Sequence, residues 1–294
     1  MHVISEYDTN GLRLKHVLLD IKSGKEMEIY YELFVKCFGE RSNISVDTFQ
    51  WYNLQQPGVE NYSFGLMHDD ILVAAYGILP LDLYFDRQVI KGALCTNGMT
   101  HPDYGGKGLF TLIGKVSLEY SKKLGINLVI GIPNENAIKG HTKVGWHSME
   151  NVSFYQYEGN PNDINNENGN FKLIPTEFEW SDFEFDELYI PKYDTFFLRN
   201  VKWLQWRIRK PHCEYIQYKL TENGVFKGYM ILKKYLDLKL NIKKLHIVDY
   251  AFQDNIHLSK LLQFAAKIKN EKGYSVLNLW NYKSDKKMCR INSL

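Results

Sequence analysis

Apolar positions recur along this chain with two different periods, and the switches between them mark out its elements. In LFTLIGKVSLEY the residues Leu109, Leu112, Ile113, Val116 and Tyr120 fall three and four apart, as on one face of an amphipathic helix. Gly125 is placed to end that helix. MEIYYELFVKCFG (27–39) also reads as a helix, whereas SFGLMH and ILVAAYGILPL are apolar runs around an Asp-Asp turn and read as a β-hairpin. A strand is expected at 91–100. INLVIGIP (126–133) is an apolar run short enough for another, buried one. Strand, glycine loop, helix and strand in that order imply parallel pairing of the two strands. The loop then lies at a strand's carboxyl end, where α/β sheets bind ligands.

That loop reads HPDYGGKG, with Gly105, Gly106 and Gly108 around Lys107, immediately ahead of the helix. Glycine permits φ > 0 and close approach of a ligand to the backbone, and a helix start leaves its first amides unpaired with a partial positive charge. A phosphate suits such a place. A tight turn ahead of a helix is the plainer alternative, and the position at the strand end favours the anion site.

The segment 158–170 (EGNPNDINNENGN) is polar, dense in asparagine and glycine, and without apolar period. It divides the chain into domains at 1–157 and 171–294. The second half repeats the plan of the first in weak form: FQWYNLQQP is echoed by LQWRIRKP, ILVAAYGIL by VFKGYMILK, IKGALCTNG by KKLHIVDYA, and GINLVIGIPN by GYSVLNLWN. The glycine loop has no echo, since the equivalent region reads AFQDNIHLSKLL.

Composition narrows the chemistry. The 294 residues carry 36 basic and 34 acidic side chains, so net charge offers no reason to expect a nucleic-acid partner. The locally basic KKYLDLKLNIKK (233–244) reads as a solvated hairpin face. No stretch approaches the ~20 apolar residues of a membrane helix, and no basic-then-apolar leader opens the chain, so a cytoplasmic protein is expected. Cys37, Cys95, Cys213 and Cys289 lie far apart with no C-x-x-C pair and no histidine at ligand spacing, which suggests neither a disulfide framework nor a metal site.

Two segments resemble the GNAT (GCN5-related N-acetyltransferase) superfamily. Its acyl-CoA loop, Q/R-x-x-G-x-G/A, is matched by Asp103-Tyr104-Gly105-Gly106-Lys107-Gly108. Its downstream signature, N-x-x-A-x-x-x-Y-x-K-x-G-F, is matched by Asn134, Ala137, Lys143, Gly145 and Trp146, with His141 in the tyrosine position. The resemblance implies an α/β fold of two tandem GNAT-like domains, each a mixed, mostly antiparallel sheet flanked by helices, and the tandem layout is similar to sugar N-acyltransferases of surface polysaccharide synthesis. It implies acyl-CoA as donor. Main-chain amides of Met99, Thr100 and His101 would pair with the pantetheine arm, and those of Gly106, Lys107, Gly108 and Leu109, with Gly105 beside them, would hold the pyrophosphate. Asp103 departs from the usual glutamine or arginine, and Lys107 is placed to compensate.

Acyl transfer to an amine needs a neutral amine, a polarised carbonyl and a proton for the departing sulfur. His141 is the candidate acid, with a surface histidine on a short helix as the alternative. His101 and Glu135 are the candidate bases, and Asn134 and Asn136 are placed to bind pantetheine amides or orient a water. For the acceptor, implied to be a nucleotide-linked amino sugar, Asn97, Trp206, Arg207 and Asp249 are candidates, with core packing as the alternative for the aromatics. Two rivals remain: a non-catalytic acyl-CoA- or nucleotide-binding module, and an aminoacyl transferase of peptidoglycan cross-bridges.

Overall fold

A computed structural model describes residues 1–39, 44–58, 60–149, 152–159, 170–176 and 195–282. Most of the expected linker, 160–169, and Cys289 lie outside the described residues. The chain divides into two compact units, Met1–Ser148 with Asp194–Arg199, and Met149–Tyr193 with Asn200–Leu294.

In the first unit six strands lie in chain order: β1 (His2–Thr9), β2 (Leu12–Leu19), β3 (Tyr62–His68), β4 (Ile71–Phe85), β5 (Gln88–Thr100) and β6 (Leu128–Ile130). Neighbours are antiparallel except β5 and β6, which run parallel across the crossover helix α3 (Leu109–Lys123). A short β9 (Thr195–Phe197) pairs with the end of β4. Helices α1 (Gly24–Phe38) and α2 (Val46–Leu54) cover one face, where Tyr30, Phe34, Phe49 and Met99 form a core. The apolar stripe of α3 closes the other: Leu109 and Ile113 are fully buried against Leu14, Phe64 and Tyr76. Burial of each such side chain stabilises by about 1.5–3 kcal/mol. The hairpin β1–β2 turns on Asn10 and Gly11, both at positive φ, as an Asn-Gly pair between two strands favours.

The second unit is built on a six-stranded sheet in the order β7 (Val152–Tyr157), β13 (Val276–Tyr282), β12 (Ile242–Phe252), β11 (Val225–Asp237), β10 (Glu214–Glu222) and β8 (Phe171–Pro175). Here too one pair is parallel, β12 with β13, across a helix α6 (Asn255–Glu271) that buries Leu258, Leu261 and Ala265 against Met230, Leu232, Leu245 and Ile247. A shorter helix, α5 (Val201–Ile208), precedes β10. The echo between the two halves is therefore an echo of topology: hairpins, then strand, helix and parallel strand. The sequence boundary at 157 and the boundary between compact units at 148 differ by β7, which pairs with β13. Apolar alternation within one strand carries no information about which sheet edge it will join.

Candidate active site

The strand before the glycine loop is not regular. Ala75 lies opposite Met99 and Gly77 opposite Thr96, so Tyr76 alone faces Asn97 and Gly98. Such a bulge adds one residue to β5 and bends it. Asn97 takes the left-handed conformation, with φ of 47°. Pairing of β5 with β6 ends at Leu94 and Ile130, so the run expected to stay a strand to residue 133 leaves the sheet at Gly131. A β-carbon there would come within 3.0 Å of the Trp146 ring. The two parallel strands thus part at the bulge, and a cleft of about 500 Å³ opens between them, lined among others by Cys95, Thr96, Asn97, Ile132, Asn134 and His141. Phe34, Cys37 and Phe38 of α1 form its wall on the other face of the sheet.

Beyond β5 a single 3-10 turn (Pro102–Tyr104) leads into Gly105, and Gly106 and Gly108 follow at φ of 74° and 73°. Gly108 is the N-cap of α3, and among the described residues no side chain caps that helix. Its first intrahelical bond runs from the Leu112 N–H to the Gly108 carbonyl, at 3.0 Å, so the amides of residues 109–111 precede the helical ladder. Open space lies in front of Gly106 and Gly108, since a β-carbon at either would meet nothing within 4 Å. Positive φ is thus what glycine supplies here, and the open amides are what a phosphate needs. The loop is held from outside: Asn10 Nδ2 donates to the Lys107 carbonyl at 2.9 Å, and the Lys107 ammonium sits 5.3 Å from the Tyr104 ring centre. These features fit the pyrophosphate of CoA.

Not every expected amide is available. The His101 N–H donates to the Val73 carbonyl of β4 at 2.9 Å, which removes it from the set that would pair with a pantetheine arm. Alternation turns Met99 the same way and leaves the Thr100 backbone facing the open edge, where its carbonyl accepts the Cys37 thiol at 3.1 Å. The His101 ring has a structural task, because Nδ1 accepts the Asp103 N–H at 3.3 Å and the ring is buried edge-on to Tyr104. Nδ1 is thus engaged in holding the turn. Asp103 is exposed, its carboxylate 3.8 Å from His101 Nδ1.

His141 lies on α4 (Glu135–Val144), buried, and is held on three sides by rings: Phe110 at 5.2 Å, Trp146 at 4.9 Å and Tyr76 at 5.8 Å between centres. Its Nδ1 is 3.1 Å from the Tyr76 hydroxyl. Burial pushes the Tyr76 pKa well up, so the phenol keeps its proton, and it lowers that of His141, so the ring is neutral near pH 7. A phenol that keeps its proton can donate it to Nδ1, which leaves the proton of the neutral imidazole on Nε2. Nε2–H of His141 is then the donor that this side chain can present to the cleft.

The other candidates separate. Asn134 is the N-cap of α4, its Oδ1 accepting the Ala137 N–H at 3.0 Å, and still lines the cleft. Glu135 and Asn136 are exposed in the first turn of α4. Asn97 lines the cleft and its Nδ2 reaches Asn53 Oδ1 at 3.4 Å. The remaining three belong to the second unit: Trp206 is buried beside Trp203, Arg207 donates to the Tyr215 hydroxyl at 3.1 Å, and buried Asp249 accepts the Tyr229 hydroxyl at 2.9 Å. Tyr76, Asn10 and the α1 wall escape sequence reasoning. The Asn-Gly pair inside the β5 run is the signal for the bulge, but nothing local ties Tyr76 to His141, 65 residues away. Among the described residues no three His, Cys, Asp or Glu side chains come together as metal ligands, and no helix is long and apolar enough to cross a membrane.

Known proteins share this fold. A probable N-acyltransferase from Enterococcus faecalis V583 superposes with a TM-score of 0.72 at 15% identity, over 91% of this chain and 65% of that one. A GCN5-related N-acetyltransferase from Anabaena variabilis gives 0.67 at 14%, over 92% and 66%. The chain thus spans about two thirds or slightly less of the length of either. N-myristoyltransferase from Saccharomyces cerevisiae, with bound myristoyl-CoA, gives 0.57 at 11%, over 95% and 79%. No curated protein matches the chain in sequence. Residues 21–149, which hold the bulge, the glycine loop and His141, match the family model of the acetyltransferase (GNAT) domain.

Proposed function

We propose that the protein is an acyl-CoA-dependent N-acyltransferase acting on a primary amine. The observation that carries this is the uncapped start of α3, presented by Gly106 and Gly108 at the end of a strand that parts from its parallel neighbour beside His141. When bound, acyl-CoA supplies an activated thioester. The chain's own part is positional and electrostatic. The amides of residues 106–109 hold the pyrophosphate at the positive helix end, and the open edge of β5 at Thr100 and the bulge aligns the arm. His141 offers Nε2–H to the atom in the cleft that gains negative charge, and Tyr76 sets the tautomer that makes this possible.

Transfer is direct. Burial pushes the Cys37 thiol up to about 11 and the Cys95 thiol up to about 12, so both cysteines that line the cleft are protonated near pH 7 and neither is the thiolate that a covalent route requires. With His101 occupied by Asp103 and Glu135 exposed, the amine enters neutral and releases its proton to solvent after attack. An amino group on a sugar carbon, less basic than lysine, meets that condition, and a nucleotide-linked amino sugar is the acceptor class we propose on the resemblance to sugar N-acyltransferases. Release of free thiol from acetyl-CoA in the presence of amino-sugar nucleotides, lost in His141→Gln, is the test. Thiol release with simple amines but not with these nucleotides would keep the enzyme and overturn the acceptor.

A further inference from the structure

The second unit carries a group of cations on the sheet face turned away from α6. Tyr215, Lys233 and His246 are direct cross-strand neighbours on β10, β11 and β12, so their side chains stand in one row. Leu232, Leu245 and Ile247, their neighbours along the strands, pack into the α6 core, and alternation turns the row to the opposite face. Arg207, in the last turn of α5, joins it by donating from Nη1 to the Tyr215 hydroxyl at 3.1 Å. Lys210, just past that helix, has its pKa lowered by burial first and then, against the pull of Cys213, by Lys233 and Arg207. His246 is pushed down by burial, then by Lys233 and Lys244. Its Nε2 is buried and, among the described residues, has no hydrogen-bond partner.

Like charges gathered and partly desolvated in this way oppose folding unless an anion answers them. The carboxylates of the neighbouring strands are engaged elsewhere: Glu214 with Lys234 at 2.7 Å, Asp237 with Lys244 at 2.8 Å, and Asp249 with the Tyr229 hydroxyl. A helix C-terminus favours nearby cations, which accounts for Arg207 and Lys210 but not for Lys233 and His246, which stand on strands.

We propose that Arg207, Lys210, Lys233 and His246 form a binding site for the phosphate or diphosphate group of an organic ligand. The arginine fork takes two oxygens, the lysines add point charges, and the imidazole nitrogen left unpartnered among the described residues gains an acceptor or donor. Identifying that ligand with the nucleotide part of an amine acceptor rests on the N-acyltransferase reading. The site itself does not.

Calorimetric titration of the full chain with inorganic pyrophosphate tests it, in the Gly106→Glu background so that the loop of the first unit does not contribute. Binding is expected there, and addition of Lys210→Gln with Lys233→Gln should weaken it at least tenfold while the melting temperature holds or rises, because repulsion is relieved. Unchanged pyrophosphate affinity in that variant would overturn the site. So would a fall in melting temperature, which would mean that the lysines answer an internal anion. Uridine diphosphate serves as the second probe: tighter binding than pyrophosphate assigns a nucleotide ligand, and equal binding assigns the phosphate group alone, either of which supports the site. Should acetyl-CoA fail to stabilise the unsubstituted chain while pyrophosphate still binds in the Gly106→Glu background, the N-acyltransferase reading fails and the anion site stands.

Discussion

The helices α3 and α6 occupy the same place in the two sheets, each crossing between a pair of parallel strands, yet they begin in opposite ways. Gly108 caps α3 in the left-handed conformation and, among the described residues, no side chain is bonded to its first amides. Asp254 caps α6 from an extended conformation and forms a capping box with His257, whose Nδ1 accepts the Asp254 N–H at 3.1 Å. His257 Nε2 lies 3.4 Å from Glu222. A helix start attracts anions wherever it occurs. Whether it becomes a ligand site depends on whether the chain fills it with a carboxylate of its own, and the second unit does so. The shared topology therefore says little about shared chemistry.

Substitution of the two histidines near these helices should split most sharply. His141→Gln removes the donor at the cleft, and turnover should fall about 10²-fold or more, within the range general acid–base groups contribute; His257→Gln should lower stability and leave turnover per folded molecule intact. Equal turnover losses would mean that the second unit takes part in the chemistry. Acid is the next divider. His16, on β2 of the first unit, is buried with its pKa pushed down to about 4 by desolvation. Below pH 6.5 the unfolded chain takes up a proton that the folded unit refuses until about pH 4, so the first unit loses stability as pH falls through that window. Thermal unfolding followed from pH 7 to 4 should show this slope, and His16→Gln should flatten it.

Asp254→Ala opens the start of α6 at a cost of about 1 kcal/mol in denaturant unfolding, without creating affinity for acetyl-CoA, because α6 lacks the positive-φ glycines. Smallest is Tyr76→Phe, which removes one hydrogen bond of about 0.5–1 kcal/mol and should lower kcat two- to fivefold with KM for acyl-CoA unchanged. A rise in KM instead would make Tyr76 part of the binding surface.

Much of this was legible in the sequence because it is local. The period of Leu109 to Tyr120, the glycines ahead of it and the Asn-Gly pair at 10–11 each act within a few residues, and α3 and the loop follow from them. The parallel pairing of β5 and β6 could be read from the order of elements. What could not be read depends on contacts far apart in the chain: β7 joining β13, the His101 amide turning to Val73, and the Tyr76 hydroxyl meeting His141. The early end of β6 was hidden for another reason, since Ile132 and Pro133 continue the apolar run after the strand has left the sheet. Of the candidate chemistry, His141 reaches the cleft while His101 serves as a cap, and a motif position does not tell these two fates apart.

Thermal unfolding with and without acetyl-CoA, on the unsubstituted chain and on Gly106→Glu, tests the central claim most directly. At about a hundred times its dissociation constant the ligand should add ~2.7 kcal/mol to the stability of the first unit, and Gly106→Glu, which projects a carboxylate in front of the open amides, should abolish the shift. An equal shift in both proteins would place the cofactor elsewhere, and no shift in either at millimolar acetyl-CoA would contradict the assignment of the α3 start as an acyl-CoA site.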